Sequence, residues 1–237
     1  MSNNFEQFVQ EVESDLRQER FEQLWKKYGK SIVIGFAVII GLSAAFNFWQ
    51  HHQAKQRDII SQQFVSAQTL LFNKNIGDAL SAMEGISKSS HRSYSTLAKF
   101  NMAAILRQET GHKDLNRAEE IYKDLMDSSS TEHMFRELAT VLYVSLHLDR
   151  LKNDNVEELK KLEKLLEPCA KEAAPYRHLA LELKAILELR QNNHAKAAEI
   201  FVSIAQDPKC PKDLQTRAQV MTQNLASQMA EQAQKGN

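Results

Sequence analysis

From Ser31 to Trp49 the chain runs through nineteen residues, SIVIGFAVIIGLSAAFNFW, without one charged side chain. At about 1.5 Å per residue, a helix of that length spans ~28 Å, close to the ~30 Å hydrocarbon core of a bilayer. Helix geometry satisfies every backbone N–H and C=O within the segment, as a lipid environment requires. The flanks agree: Trp25, Tyr28, Phe48 and Trp49 suit the headgroup level, and Lys26, Lys27 and Lys30 guard one end. The sequence therefore predicts a transmembrane helix over 31–49. A cleaved signal peptide is the rival reading. It is opposed by the thirty residues ahead of the run, by the run's length, and by bulky Phe46 and Phe48 beside Ser43-Ala44-Ala45.

Basic residues near the ends of the run set its orientation. Arg17, Arg20, Lys26, Lys27 and Lys30 precede it, against only Lys55 and Arg57 after it. The expected topology is a cytoplasmic N-terminal segment, 1–30, and a domain from 50 to 230 on the opposite side of the membrane. Within the helix, Ala37, Gly41 and Ala45 recur at i, i+4, i+8 and leave a groove where another transmembrane helix can approach.

The first thirty residues place Phe5, Phe8, Val9, Val12 and Leu16 at helical spacing. Glu6, Glu11, Glu13 and Asp15 make that stretch acidic, a poor sign for adhesion to anionic lipid. A docking helix for a cytoplasmic partner and a half-ordered tail resting on the membrane both fit.

Lys and Arg together number 30, matched by 30 Asp and Glu, and the balance persists beyond the anchor, with 25 basic and 24 acidic residues from position 50. No basic footprint for nucleic acid exists. About 185 residues follow the anchor, enough for one well-buried domain. Only seven Gly and four Pro occur, while Ala, Leu, Lys, Glu and Gln dominate and strand-like alternation is missing, so the class is all-α.

A spacing then recurs. Ala67 precedes Ala79 by twelve residues, with Met83 four further on; Ala185 precedes Ala197 by twelve, with Phe201 four further on and Pro208 closing the unit. Ala104 precedes Ala118 by fourteen, with Tyr122 four further on and Gly111 between, so that His112 to Asn116 reads as an extended turn. A third unit runs from Phe135 through Ala139 and Tyr143 to Leu159, Leu162 and Leu166, ending at Pro168. Two antiparallel helices cross closely where small side chains face each other, and the large residue four later fills the gap to the next pair. The pattern resembles the tetratricopeptide repeat, with irregular turns. A final helix from Lys212 to about Met229, bearing Leu214, Ala218, Met221 and Leu225, serves as a cap, and 231–237 is expected to be a disordered tail.

Cys169 and Cys210 lie 41 residues apart, about one repeat. Equivalent positions in stacked helices sit ~8–10 Å apart, beyond the ~7 Å between Cα atoms that a disulfide tolerates, so two free thiols are expected.

No catalytic constellation is present. The eight histidines are scattered, and only His51-His52 are adjacent, at the membrane exit. HExxH, a glycine-rich phosphate loop and a nucleophile elbow are missing, and no cofactor, metal or small-molecule substrate is expected. Glu119-Glu120 and Glu157-Glu158 beside Lys123, Lys160 and Lys161 read as solvated helix faces. The tetratricopeptide resemblance implies a concave groove lined by the first helix of each hairpin. Matching positions assign peptide contacts to Phe64, Gln68, Asn101, Gln108, Arg136, Tyr143 and Glu182.

The whole layout, most specifically the Trp25–Lys30 approach and the span ending in Phe48-Trp49, is similar to the YfgM-like family of bacterial inner-membrane proteins, described as ancillary subunits of the SecYEG translocon. That resemblance implies a periplasmic repeat domain beside the channel that helps translocated chains meet periplasmic chaperones. The rival expectation is a structural scaffold for an envelope or division complex that never binds a client chain.

Overall fold

A computed structural model describes residues 55–108, 112–151 and 155–235, together with Leu42, Ser43, Phe46, Phe48 and Trp49. It divides into two compact units, Met1–Ile59 and Ile60–Asn237. In the first, the described residues are helical, and Leu42, Phe46, Phe48 and Trp49 all have exposed side chains. Most of the apolar run, including Ala37, Gly41 and Ala45, lies outside the described residues, as does the N-terminal segment 1–30. Among the described residues no helix is long and apolar enough to cross a membrane.

The second unit is all-helical. In chain order it comprises α1 (60–72), α2 (Ile76–Ser87), α3 (Arg92–Gln108), α4 (His112–Asp127), α5 (His133–Arg150), α6 (Val156–Leu166), α7 (Arg177–Arg190), α8 (His194–Gln206) and α9 (Lys212–Lys235). The described residues have no single core. Four apolar clusters follow one another, each built from one hairpin and the first helix of the next. Ile60, Ala67, Met83, Ile86, Ala98 and Met102 join α1, α2 and α3. Ala103, Leu106, Ala118, Tyr122 and Leu146 join α3, α4 and α5. Val144, Leu148, Leu159, Leu162, Leu166 and Leu187 join α5, α6 and α7. Ala185, Ala197, Phe201, Ile204, Leu214, Ala218 and Leu225 join α7, α8 and α9. Leu214, Ala218 and Leu225 on α9 thus cover the last hairpin, as a cap must.

The twelve-residue alanine spacing has a local cause. Hairpins α1–α2 and α7–α8 share one turn. Asn75 N–H donates to the Leu70 carbonyl (2.9 Å) and Lys74 N–H to that of Leu71 (3.0 Å); Asn193 N–H donates to Glu188 (2.9 Å) and Asn192 N–H to Leu189 (3.0 Å). These are paired helix-ending bonds around one left-handed residue. That residue is Lys74 (φ 59°) in one turn and Asn192 (φ 60°) in the other. With the turn fixed, Ala67 and Ala79 in one hairpin and Ala185 and Ala197 in the other are all without solvent exposure, and the latter two share one cluster. Helix α6 begins differently: Asn155 caps it, its side-chain oxygen accepting the Glu157 N–H at 3.1 Å, with Glu157 and Glu158 in the first turn favoured by the helix dipole.

Three expectations need correction. The packed alanine of the second hairpin is Ala103, not Ala104; the shift of one position turns the helix by about 100° and leaves Ala104 exposed. Residues His112 to Asn116 are helical, because α4 already begins at His112. Helix α9 continues to Lys235, since Glu231 to Lys235 are good helix formers with no breaker before Gly236. Both cysteines are free, Cys169 in the third cluster and Cys210 in the fourth. Burial, with the nearby Glu137 carboxylate, pushes the Cys169 thiol up to about 11, so it is inert at neutral pH.

Candidate functional site

Helix α3 is apolar on two sides. Ala98, Met102 and Leu106 face the core, while Leu97, Phe100 and Ala104 line a cleft of about 670 Å³ between α3 and α5. Phe135, Leu138 and Leu142, spaced by three and four along α5, form its opposite wall. The floor is aromatic: the Phe100 ring lies 6.1 Å from Phe135 and 6.3 Å from Tyr122, tilted by 48° and 45°. Such offset, tilted rings are the favourable arrangement for aromatic contacts. Burial pushes the Tyr122 phenol up, against the pull of Arg107, so it remains a neutral donor.

The rim is polar and carries no carboxylate of its own. Asn101 and Gln108 sit on α3, one on each side of Ala104. Asn101 Nδ2 donates to the Leu97 carbonyl at 2.8 Å, which fixes the amide on the cleft wall. At the far end Arg107 Nη2 donates to Asp149 Oδ2 at 2.8 Å and to Ser145 Oγ at 3.4 Å, tying α3 to α5. A smaller cleft of about 350 Å³ lies on the other side of α3, lined by Leu71, Phe72, Lys74 and Ile76 with Asn101, Ala104, Ile105 and Gln108. Phe72 is 87% exposed, a large apolar side chain offered to solvent at its mouth. Asn101, Ala104 and Gln108 therefore form a low ridge shared by the two clefts. Ala104 is small enough for a chain to cross there.

Of the residues expected to contact peptide, the structure brings Asn101 and Gln108 together here. The other five lie elsewhere. Phe64 packs into the first core cluster with its ring 6.0 Å from Tyr94, and Gln68 is exposed on α1 outside both clefts. Arg136 lines neither cleft. Tyr143 packs between the second and third clusters and stacks on His147 at 5.7 Å. Glu182 is held by Arg217 through bonds of 2.9 and 2.8 Å.

Sequence reasoning missed Phe100, Phe135, Leu138, Leu142, Arg107 and Phe72. A signal existed: Leu97, Phe100 and Ala104 repeat at i, i+3, i+7, a second apolar stripe beside the core-facing one, with Phe100 shared between the cleft and the second cluster. Two acids assigned to solvated faces also behave otherwise, because Glu119 and Glu158 both bond to His147. Among the described residues no group of histidine, cysteine and carboxylate side chains is arranged to hold a metal ion.

A chain of stacked hairpins with an open cleft along its first helices is the form in which repeat proteins present binding surfaces. The family description "tetratricopeptide repeat-like domain" matches residues 22–202 of the chain. No curated protein matches it.

Proposed function

This chain belongs to the tetratricopeptide repeat-like domain family, and from that premise we propose that it is a membrane-anchored, non-enzymatic module that holds extended segments of other proteins in the clefts flanking α3. The observation that carries this reading is the aromatic-floored cleft between α3 and α5, open to solvent and bordered by amides. Phe100, Phe135, Leu138 and Leu142 would take apolar side chains; Asn101 and Gln108 would pair with backbone as the ligand crosses Ala104.

The anchor belongs to the same proposal. It rests on the uncharged run Ser31–Trp49, which falls inside the matched stretch 22–202, and on the exposed Leu42, Phe46, Phe48 and Trp49. Charge asymmetry supports a cytoplasmic N-terminus with the repeat domain on the opposite side, the YfgM-like layout makes that side the periplasm of a bacterial inner membrane, and Ala37, Gly41 and Ala45 offer a contact for a neighbouring membrane helix. The YfgM-like layout supports a place beside the SecYEG translocon, where weak cleft contacts would suffice because tethering raises the local concentration of emerging chains and chaperones.

The test is a photocrosslinking amino acid at Gln108 in the full chain in its membrane. Adducts with unfolded or emerging chains are expected, lost when Ala104→Trp fills the ridge. Adducts that persist in that variant, or that form equally from the distant surface residue Glu199, would overturn the assignment of the cleft.

A further inference from the structure

Three helices bring charged groups to one histidine. His147 on α5 has a carboxylate oxygen at each ring nitrogen: Glu119 Oε1 of α4 lies 3.0 Å from Nδ1, and Glu158 Oε1 of α6 lies 2.8 Å from Nε2. The side chains of His147 and Glu119 are each 22% exposed and that of Glu158 39%, so solvent screens this group only in part. Arg150, one turn further along α5, donates from Nη1 to the second oxygen of Glu119 and from Nη2 to Asn116 Oδ1. Tyr143, one turn back, stacks on the imidazole at 5.7 Å with an interplanar angle of 21°. Burial, then the carboxylates of Glu119 and Glu158, push its phenol up, so it stays uncharged. Among the described residues, Glu119 from α4, Arg150 from α5 and Glu158 from α6 are the charged groups bonded to the ring or to its carboxylate partner, and Arg190 of α7 donates nearby to the Leu148 and Leu151 carbonyls.

A neutral imidazole carries one N–H, so it donates to one of these carboxylates and turns a lone pair toward the other. Only the imidazolium donates to both. Histidine is the side chain whose charge changes between about pH 5 and 8. We propose that His147 is a pH-operated latch between the second and third hairpins: protonated, it ties the start of α6 to α4; deprotonated, it keeps one carboxylate and lets the other go. Helix α6 feels the change most. It has 11 residues, and Glu158 adjoins Leu159, the first of the three leucines that seat it in the core. The Asn155 cap belongs to the same turn.

Amide hydrogen exchange on the full chain in detergent tests this, with rates corrected for the intrinsic effect of pH. Backbone amides in the first half of α6 should exchange about tenfold more slowly at pH 6 than at pH 8, the scale of one charge-assisted hydrogen bond. Those of α8, remote from the latch, should not follow. His147→Gln removes the titrating group, and Glu158→Gln removes the need for a second donor while keeping the shape. Both variants should erase the pH difference in α6. A wild-type profile with no difference, or one that survives in either variant, overturns the latch.

Discussion

Arg217 on α9 grips Glu182 on α7 through both arms of a fork, Nε to Oε1 at 2.9 Å and Nη2 to Oε2 at 2.8 Å. The pair fastens the cap to the last hairpin beside the contacts of Leu214 and Ala218. Arg217 is 55% exposed, so solvent discounts the attraction, but two-point geometry places the pair at the upper end for surface ions, about 1 kcal/mol. Arg217→Ala and Glu182→Ala should each lower unfolding stability by about that amount, and the double variant by little more than either. Additive losses in chemical denaturation would show that the fork is not the coupling.

Ala103 and Ala104 are neighbours in sequence and opposites in the fold. Ala103 is sealed between α3 and α4, so Ala103→Leu should overpack the crossing and cost about 1–3 kcal/mol. Ala104→Leu should leave stability within about 0.5 kcal/mol and instead reduce peptide crosslinking at Gln108. Thermal unfolding and crosslinking measured on the same two variants separate these roles. A stable Ala103→Leu protein would contradict the register.

Lys74 occupies a left-handed conformation that costs a residue with a Cβ roughly 1 kcal/mol, whereas glycine takes it freely. Lys74→Gly should therefore raise stability by about 0.5–1 kcal/mol. Asn192→Gly, at the matching turn, should gain less, because asparagine tolerates this region. Urea midpoints that fall in both variants would mean that side-chain contacts outweigh the backbone.

Two carboxyls make the last hairpin acid-sensitive. Burial pushes Glu188 up, but hydrogen bonds from Lys196 and Asn193 override it and hold the carboxyl below its ordinary range. Asp207 is held well below that range by His178, the Lys209 N–H and Arg177, against the effect of burial. Each therefore binds its proton more weakly when folded than when unfolded. Their stabilisation is complete above the ordinary carboxyl range, near pH ~4, and is lost as pH falls toward the folded values. Between pH 3 and 5 the urea midpoint should drop with acid. Asp207→Asn should start lower at neutral pH and fall less steeply, and equal slopes would contradict the assignment.

The first and last hairpins were legible because a turn of fixed geometry turns packing into a number: twelve residues from alanine to alanine. In the second hairpin the same reasoning slipped by one residue. Helix α3 carries two apolar stripes, Leu97-Phe100-Ala104 and Ala98-Met102-Leu106, and periodicity does not say which one faces the core. That slip also hid the cleft, since Ala104, the alanine taken for packing, belongs to the stripe that lines it. The histidine cluster left no trace in the sequence, because Glu119, His147 and Glu158 are separated by 28 and 11 residues and meet only after three helices have packed.

The succession of four small apolar clusters, each closed within one hairpin and its successor, governs how this protein acquires its shape. Among the described residues no strand has to find a distant partner, so the entropy lost in forming each closure is small and is recovered at once by local burial. A polypeptide threading out with its amino-terminal half first can order itself one step behind its own emergence.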